Sequence, residues 1–195
     1  MNGKRLLAAI EAILFAAAEP LHCAKIAEVL ELSVEDTEEL LSNLAAKLEE
    51  RDSGICLLRL DTKYQLCVRK EFENEVRATL EIKRDTPLSQ AAFEVLAIVA
   101  YNQPITKSYI DQIRGVECTG VITTLCQKGL IEEKGRLDLP GRPILYGTTT
   151  NFLRCFSLTT LKDLPQLPES DTTVLMSDLE SDVSQIKPEF SKTRE

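Results

Sequence analysis

The side chains that could do chemistry here are few and scattered. Six cysteines sit at 23, 56, 67, 118, 126 and 155, and His22 is the one histidine. No C-x-x-C pair is present, and no Cys/His spacing fits a tetrahedral zinc site. Cys56 and Cys67 flank an expected hairpin and fall near each other across it. Taken together the cysteines read as free thiols of a reducing cytoplasm. With one imidazole, a His-dependent triad or a His-based metal site has almost nothing to draw on. The phosphate-cradling patterns G-x-x-x-x-G-K-[ST] and G-x-G-x-x-G are absent, and so is G-x-S-x-G. Glu132 and Glu133 are neighbours on an expected strand, so they point to opposite faces and make a poor acid/base pair. No nucleophile, base and orienting group assemble, and the sequence predicts neither an enzyme nor a bound cofactor or metal.

Charge narrows the remaining classes. The net charge is −8 over 195 residues. Residues 1–83 hold 11 basic against 16 acidic side chains, residues 84–165 hold 9 against 8, and residues 166–195 hold 3 against 7. An acidic chain does not gather phosphates through its overall field. Lys134, Arg136 and Arg142 are cations on one expected hairpin. They either touch a phosphate backbone or pair with Glu132, Glu133 and Asp138 beside them.

The elements that must position these groups occur twice, 84 positions apart. Pro20 aligns with Pro104, Leu14-Phe15-Ala16 with Ile98-Val99-Ala100, Ile26 and Val29 with Ile110 and Ile113, and Leu41 with Leu125. Each copy reads as helix, Pro-containing turn, helix, short turn, helix, then two strands. A repeat of this size is a small domain rather than a solenoid unit. The order predicts two tandem winged helices, mainly α with small β-hairpins.

In the first copy Leu6, Ile10, Ile13, Leu14 and Ala17 recur at helical spacing over 4–18. A signal peptide is the alternative reading of that stretch. Ser33 is the expected N-cap of the third helix, with Glu35 and Asp36 in its first turn and Leu40, Leu41, Leu44 and Leu48 as its buried stripe. Strands 55–60 and 64–69 flank a turn at 61–63, and a helix over 71–80 leads to a junction at 84–87. In the second copy Ser89 and Thr106 are expected caps. Phe93, Leu96, Ala97, Ala100 and Tyr101 form the expected apolar face of the first helix. Gly115 stops the next helix, and Val121, Ile122 and Leu125 are buried in the third. Residues 137–143 form a long wing tip fixed by Pro140, Gly141 and Pro143, and a last helix carries Phe152, Leu153 and Phe156. The domains so drawn are 1–83, 84–165 and an acidic Ser/Thr-rich tail, 166–195, too poor in apolar residues to fold. No apolar run reaches the length of a membrane span.

A winged helix ordinarily reads DNA through its third helix. Here that helix opens with Glu35, Asp36, Glu38 and Glu39 in the first copy, where four carboxylates would meet phosphates. In the second it offers Thr119, Thr123, Thr124 and Gln127, with Lys128 its one cation. A protein partner is therefore favoured over DNA. A DNA-binding regulator with tandem winged helices is the rival.

The run Leu88-Ser89-Gln90-Ala91-Ala92-Phe93-Glu94-Val95-Leu96-Ala97-Ile98-Val99-Ala100-Tyr101-Asn102-Gln103-Pro104-Ile105-Thr106 resembles the opening of the second domain of the bacterial segregation and condensation protein B family. So do Ile113-Arg114-Gly115-Val116, Gly129-Leu130-Ile131, Gly135-Arg136 and, most specifically, Pro140-Gly141-Arg142-Pro143-Ile144-Leu145-Tyr146-Gly147-Thr148-Thr149. The segment Glu117-Cys118-Thr119 departs from the polar loop of that pattern. The resemblance implies a non-enzymatic subunit of the condensin-like SMC–kleisin complex, nucleoid-associated in the cytoplasm. Its members are homodimers of tandem winged helices that bind the central segment of the kleisin and, through it, influence the SMC ATPase and chromosome compaction. It implies dimer contact through the first domain and a kleisin groove on the second, with Arg114, Arg142 and Tyr146 near that groove. The competing roles are a wing-tip ion pair for Arg142 and core packing for Tyr146.

Overall fold

The computed structural model describes residues 3–81 and 86–167. The first copy runs α1 (Gly3–Ala17), β1 (Leu21–His22), α2 (Cys23–Leu30), α3 (Val34–Glu50), β2 (Ile55–Leu60) and β3 (Lys63–Val68). The second runs α5 (Gln90–Asn102), β4 (Ile105–Thr106), α6 (Lys107–Arg114), α7 (Thr119–Gln127), β5 (Ile131–Arg136), β6 (Ile144–Thr148) and α8 (Thr150–Cys155). Between them α4 spans Glu73–Thr79, entered through a tighter turn at Lys70–Phe72. The two antiparallel sheets share one topology, β1-β3-β2 and β4-β6-β5. Leu21 lies opposite Tyr64 in one, and Ile105 opposite Tyr146 in the other. The chain is thus two winged helices in tandem. Of the expected junction at 84–87, residues 84 and 85 lie outside the described residues, as does the tail from 168. No helix among the described residues is long and apolar enough to cross a membrane.

Local chemistry explains the helix boundaries. The Ser33, Ser89, Thr106 and Thr149 hydroxyls each accept a hydrogen bond from a backbone N–H in the first turn of the helix they precede. Gly115 ends α6 at φ +70°, a conformation that costs a glycine nothing.

The first core gathers Ile10, Leu14, Cys23, Ile26, Leu41, Leu44, Leu48 and Tyr64, with Leu40 only half-buried at its margin. In the second copy Val95, Leu96, Val99, Ile110, Ile122, Leu125 and Ile131 are buried, and α5 packs on α7 and β6. Ile26 and Leu41 correspond to Ile110 and Leu125 at the expected spacing of 84. The first helices do not follow that spacing. Buried Ile10 and Leu14 correspond to Val95 and Val99, one residue later, while Phe15 is 78% exposed where its aligned Val99 is fully buried. The connector is the cause: three residues, 18–20, separate α1 from β1, but only 103 and 104 separate α5 from β4.

The apolar face expected on α5 is also rotated. Ala92, Val95, Leu96, Val99 and Ala100 are buried, whereas Phe93 is 46% exposed and Ala97 is exposed. Phe156 is partly exposed and stacks on Phe152 with ring centroids 4.8 Å apart. On the first wing the turn is Asp61-Thr62 alone, with Lys63 already paired to Leu60.

The first wing buries both of its faces. Ile55, Leu57, Tyr64 and Leu66 face the core. Leu60 and Gln65 on the other face are also buried, with Cys56, Leu58 and Cys67 half-buried beside them. The helix α8 packs against β2, and the Asp61 N–H donates to the Thr159 carbonyl at 2.7 Å.

Candidate partner surface

The strand β6 lies between β4 and β5, so alternate residues face the helices and the solvent side. Leu145 and Gly147 are buried, while Ile144 and Tyr146 are half-buried. Tyr146 lies opposite Ile105 on one side and Glu133 on the other. Burial pushes its phenol above the usual range, reinforced by the nearby Cys126 and Glu133. It therefore stays protonated and able to donate. Gly147 is required: a Cβ there would lie 2.8 Å from both Gln103 Oε1 and Lys134 Cγ.

Arg142 is exposed at the wing tip with φ +42°, beside Gly141 at +86°. Its N–H donates to the Leu139 carbonyl at 2.8 Å, and the Leu137 N–H donates to the Pro143 carbonyl at 3.0 Å. The tip is held by its own backbone. An ion pair on this wing joins Lys134 to Glu132 at 2.5 Å. Glu132 and Glu133 pair in regular register with Gly147 and Tyr146, so they point to opposite faces as expected, and both are exposed; a register shift follows between Glu133 and Gly135.

Arg114 closes α6 and forms an ion pair with Glu94 of α5. Its Nε is buried without a hydrogen-bond partner among the described residues. Arg142 and Tyr146 thus share the wing, whereas Arg114 belongs to the α5–α6 side.

The corner at Glu117-Cys118-Thr119 is organised by Asp111, which sequence reasoning passed over. Its carboxylate accepts from Lys107 Nζ at 2.9 Å and from the Cys118 N–H at 2.7 Å. Lys107 also reaches Glu117 at 3.4 Å. The Lys107 hydrogen bond is the main force holding the Asp111 carboxyl below its ordinary value. A carboxyl depressed by folding stabilises the fold above its unfolded pKa, and that contribution fades as pH falls through the folded value. Asp111→Asn is therefore expected to flatten the acid limb of the melting-temperature profile below about pH 4. Superimposable acid limbs for the variant and the parent would refute the role.

Two apolar surfaces escaped the sequence reading. Pro87, Leu88, Phe93, Leu130 and Phe156 line a groove of about 560 Å³, with Lys128 and Cys155 at its margin. On the first copy Ala8, Ala12 and Phe15 border a shallower hollow of about 300 Å³ with Ile55 and Leu66. The available signal was a phenylalanine on a helix that already had enough apolar residues to fill its buried face.

Two of the four acids at the start of α3 have local partners. The Asp36 carboxylate accepts from the Ser33 hydroxyl at 2.7 Å, and Glu38 pairs with Arg59 at 3.6 Å. Among the described residues no group of three His, Cys, Asp or Glu is placed to hold a metal ion.

A family model described as segregation and condensation complex subunit ScpB matches residues 8–167. The segregation and condensation protein B of Clostridium tetani is 45% identical over 168 residues, 86% of this chain and 89% of that protein. Among solved structures, ScpB from Mycobacterium tuberculosis is 33% identical, covering 82% of this chain and 99% of that one, with a TM-score of 0.40. A dimer of the ScpB N-terminal domain complexed with an ScpA peptide is 30% identical, covering 39% of this chain and 95% of that one, with a TM-score of 0.38.

Proposed function

The chain belongs to the family of the segregation and condensation complex subunit ScpB, and from that membership we propose that it is a non-enzymatic adaptor in chromosome condensation and segregation. In this reading it is a homodimer that binds the kleisin and reaches the SMC ATPase through it, in the cytoplasm at the nucleoid. The observation that carries the reading is the family match over residues 8–167. The dimer and the ScpA peptide in the solved N-terminal domain are properties of that protein. Their transfer to this chain rests on family membership.

The surfaces are compatible with it. Residues 1–83 would supply the dimer contact, and Phe15 gives that domain an exposed apolar side chain. Residues 84–165 would take an apolar kleisin helix in a groove, a recognition mode that needs aromatic anchors and a polar rim. Arg142 and Tyr146 would flank it from the wing, and Arg114 from α6. The residues from 166 would be a solubilising tail. The acidic opening of α3 disfavours a phosphate backbone.

The test is affinity purification of the tagged chain from its native cells after nuclease treatment, read by mass spectrometry. An SMC ATPase and a kleisin are expected together. If neither is captured and the purified chain instead shifts a particular DNA duplex, a transcriptional regulator replaces the adaptor. Within the adaptor reading, Arg142→Ala is expected to weaken binding of the kleisin central segment on the order of tenfold. Unchanged affinity by calorimetry, with the fold intact, would remove Arg142 from the surface.

A further inference from the structure

Cys56 and Cys67 are directly opposed in the β2–β3 ladder. The Arg69 N–H donates to the Gly54 carbonyl at 2.9 Å, two residues outward from this pair. Pairs alternate along an antiparallel ladder, so Cys56 and Cys67 occupy a hydrogen-bonded pair, with Cα atoms about 5.5 Å apart. That separation lies inside the range a disulfide spans, about 4.4–6.8 Å, and the Cβ atoms, about 5.5 Å apart in such a pair, must close by about 1 Å to reach the bonded spacing. Both are free thiols, both half-buried, and both on the wing face that α8 covers. Being opposed, their side chains leave the sheet on the same side.

We infer that Cys56 and Cys67 form a reversible disulfide by exchange with a small-molecule disulfide, making the first wing a thiol-modification site. One cysteine thiolate attacks a sulfur of the small disulfide, whose S–S bond breaks and releases one thiol. The second cysteine thiolate then attacks the protein-bound sulfur of the mixed disulfide and releases the other thiol. Two electrons pass from the cysteine pair to the small disulfide, and the protons of the two cysteines end on the departing thiols. The product ties β2 to β3 covalently beneath α8. Nothing in this inference depends on the partner assignment.

Burial pushes both thiols above their ordinary value, with Arg69 opposing the rise at Cys56 and Arg154 of α8 opposing it at Cys67. The Glu49 carboxylate adds to the rise at Cys56. Exchange therefore accelerates as pH rises above neutrality, because the thiolate is the nucleophile.

The experiment incubates the full chain with oxidised glutathione, blocks remaining thiols with iodoacetamide and digests with trypsin. Cleavage after Arg51, Arg59, Lys63 and Arg69 places Cys56 in the peptide 52–59 and Cys67 in 64–69. The expected result is loss of both alkylated peptides and gain of one linked species, lighter by two hydrogens than the sum of the two peptides as free thiols and split again by dithiothreitol. Cys56→Ser is expected to stop Cys67 at the glutathione mixed disulfide. Recovery of the two peptides alkylated or separately glutathionylated would overturn the inference, and so would a Cys67–Cys155 link.

Discussion

Leu125→Ala is expected to cost about 2–5 kcal/mol of stability, the range for emptying a fully buried leucine site whose walls relax only in part. Leu125 has no exposed surface and lies in α7, against which α5 packs. Leu41, its counterpart 84 residues earlier, is equally buried in the first core. Leu41→Ala is therefore expected to cost a similar amount. Because the two leucines share no core, the losses should add in the double variant within about half a kcal/mol. Urea unfolding of the full chain, followed by circular dichroism, measures all three. A Leu125→Ala chain with an unchanged midpoint would refute the assignment of that core.

Gly147→Ala is expected to cost about 1–3 kcal/mol through a hydrogen bond rather than a cavity. The new methyl would press on Gln103 Oε1 and Lys134 Cγ, each 2.8 Å away. Gln103 cannot yield freely. Its Oε1 accepts the Thr148 N–H at 2.7 Å, and its Nε2 donates to Thr148 Oγ1 at 2.9 Å and to the Ala100 carbonyl at 3.3 Å. Moving it strands the N–H of a residue that is 6% exposed. Gln103→Ala breaks the same bond directly and is expected to cost a comparable amount. Once Gln103 is gone, Gly147→Ala has less to disrupt, so the double variant should lose less than the two single losses combined. Strict additivity would show that the glycine is needed for some other reason.

The repeat was legible because both copies must fill the same interior. Ile26 and Ile110 keep their spacing since α2 and α6 each follow their strand directly and are both eight residues long, and Leu41 and Leu125 keep it although α7 begins one position later than α3 in the repeat. The first helices broke the pattern because a connector can lose a residue without disturbing the sheet, and the helix before it then rotates by one position. In α1, Lys4, Arg5 and Glu11 mark a polar side, so Ile10 and Leu14 were readable as core. In α5 the less buried Phe93, Ala97 and Ile98 are interleaved in sequence with the buried Ala92, Val95, Leu96 and Val99, so hydrophobic spacing offered several faces and packing against α7 chose one. The same crowding hid the groove beside Phe93.

Ionic contacts were the least legible part. Glu94 and Arg114 are 20 positions apart, and only the crossing of α5 and α6 joins them. Asp111 could be suspected from Lys107 four residues earlier, but its second hydrogen bond, to the Cys118 N–H, exists only after the loop has closed.

The strand β2 has a partner on each face, since one side meets the first core and the other meets α8. A chain clipped between the two copies would therefore leave its first half with an apolar stripe of Leu58 and Leu60 uncovered. Such a stripe favours self-association and recognition by the cell's proteases. Damage to the second half is thus expected to shorten the lifetime of the first.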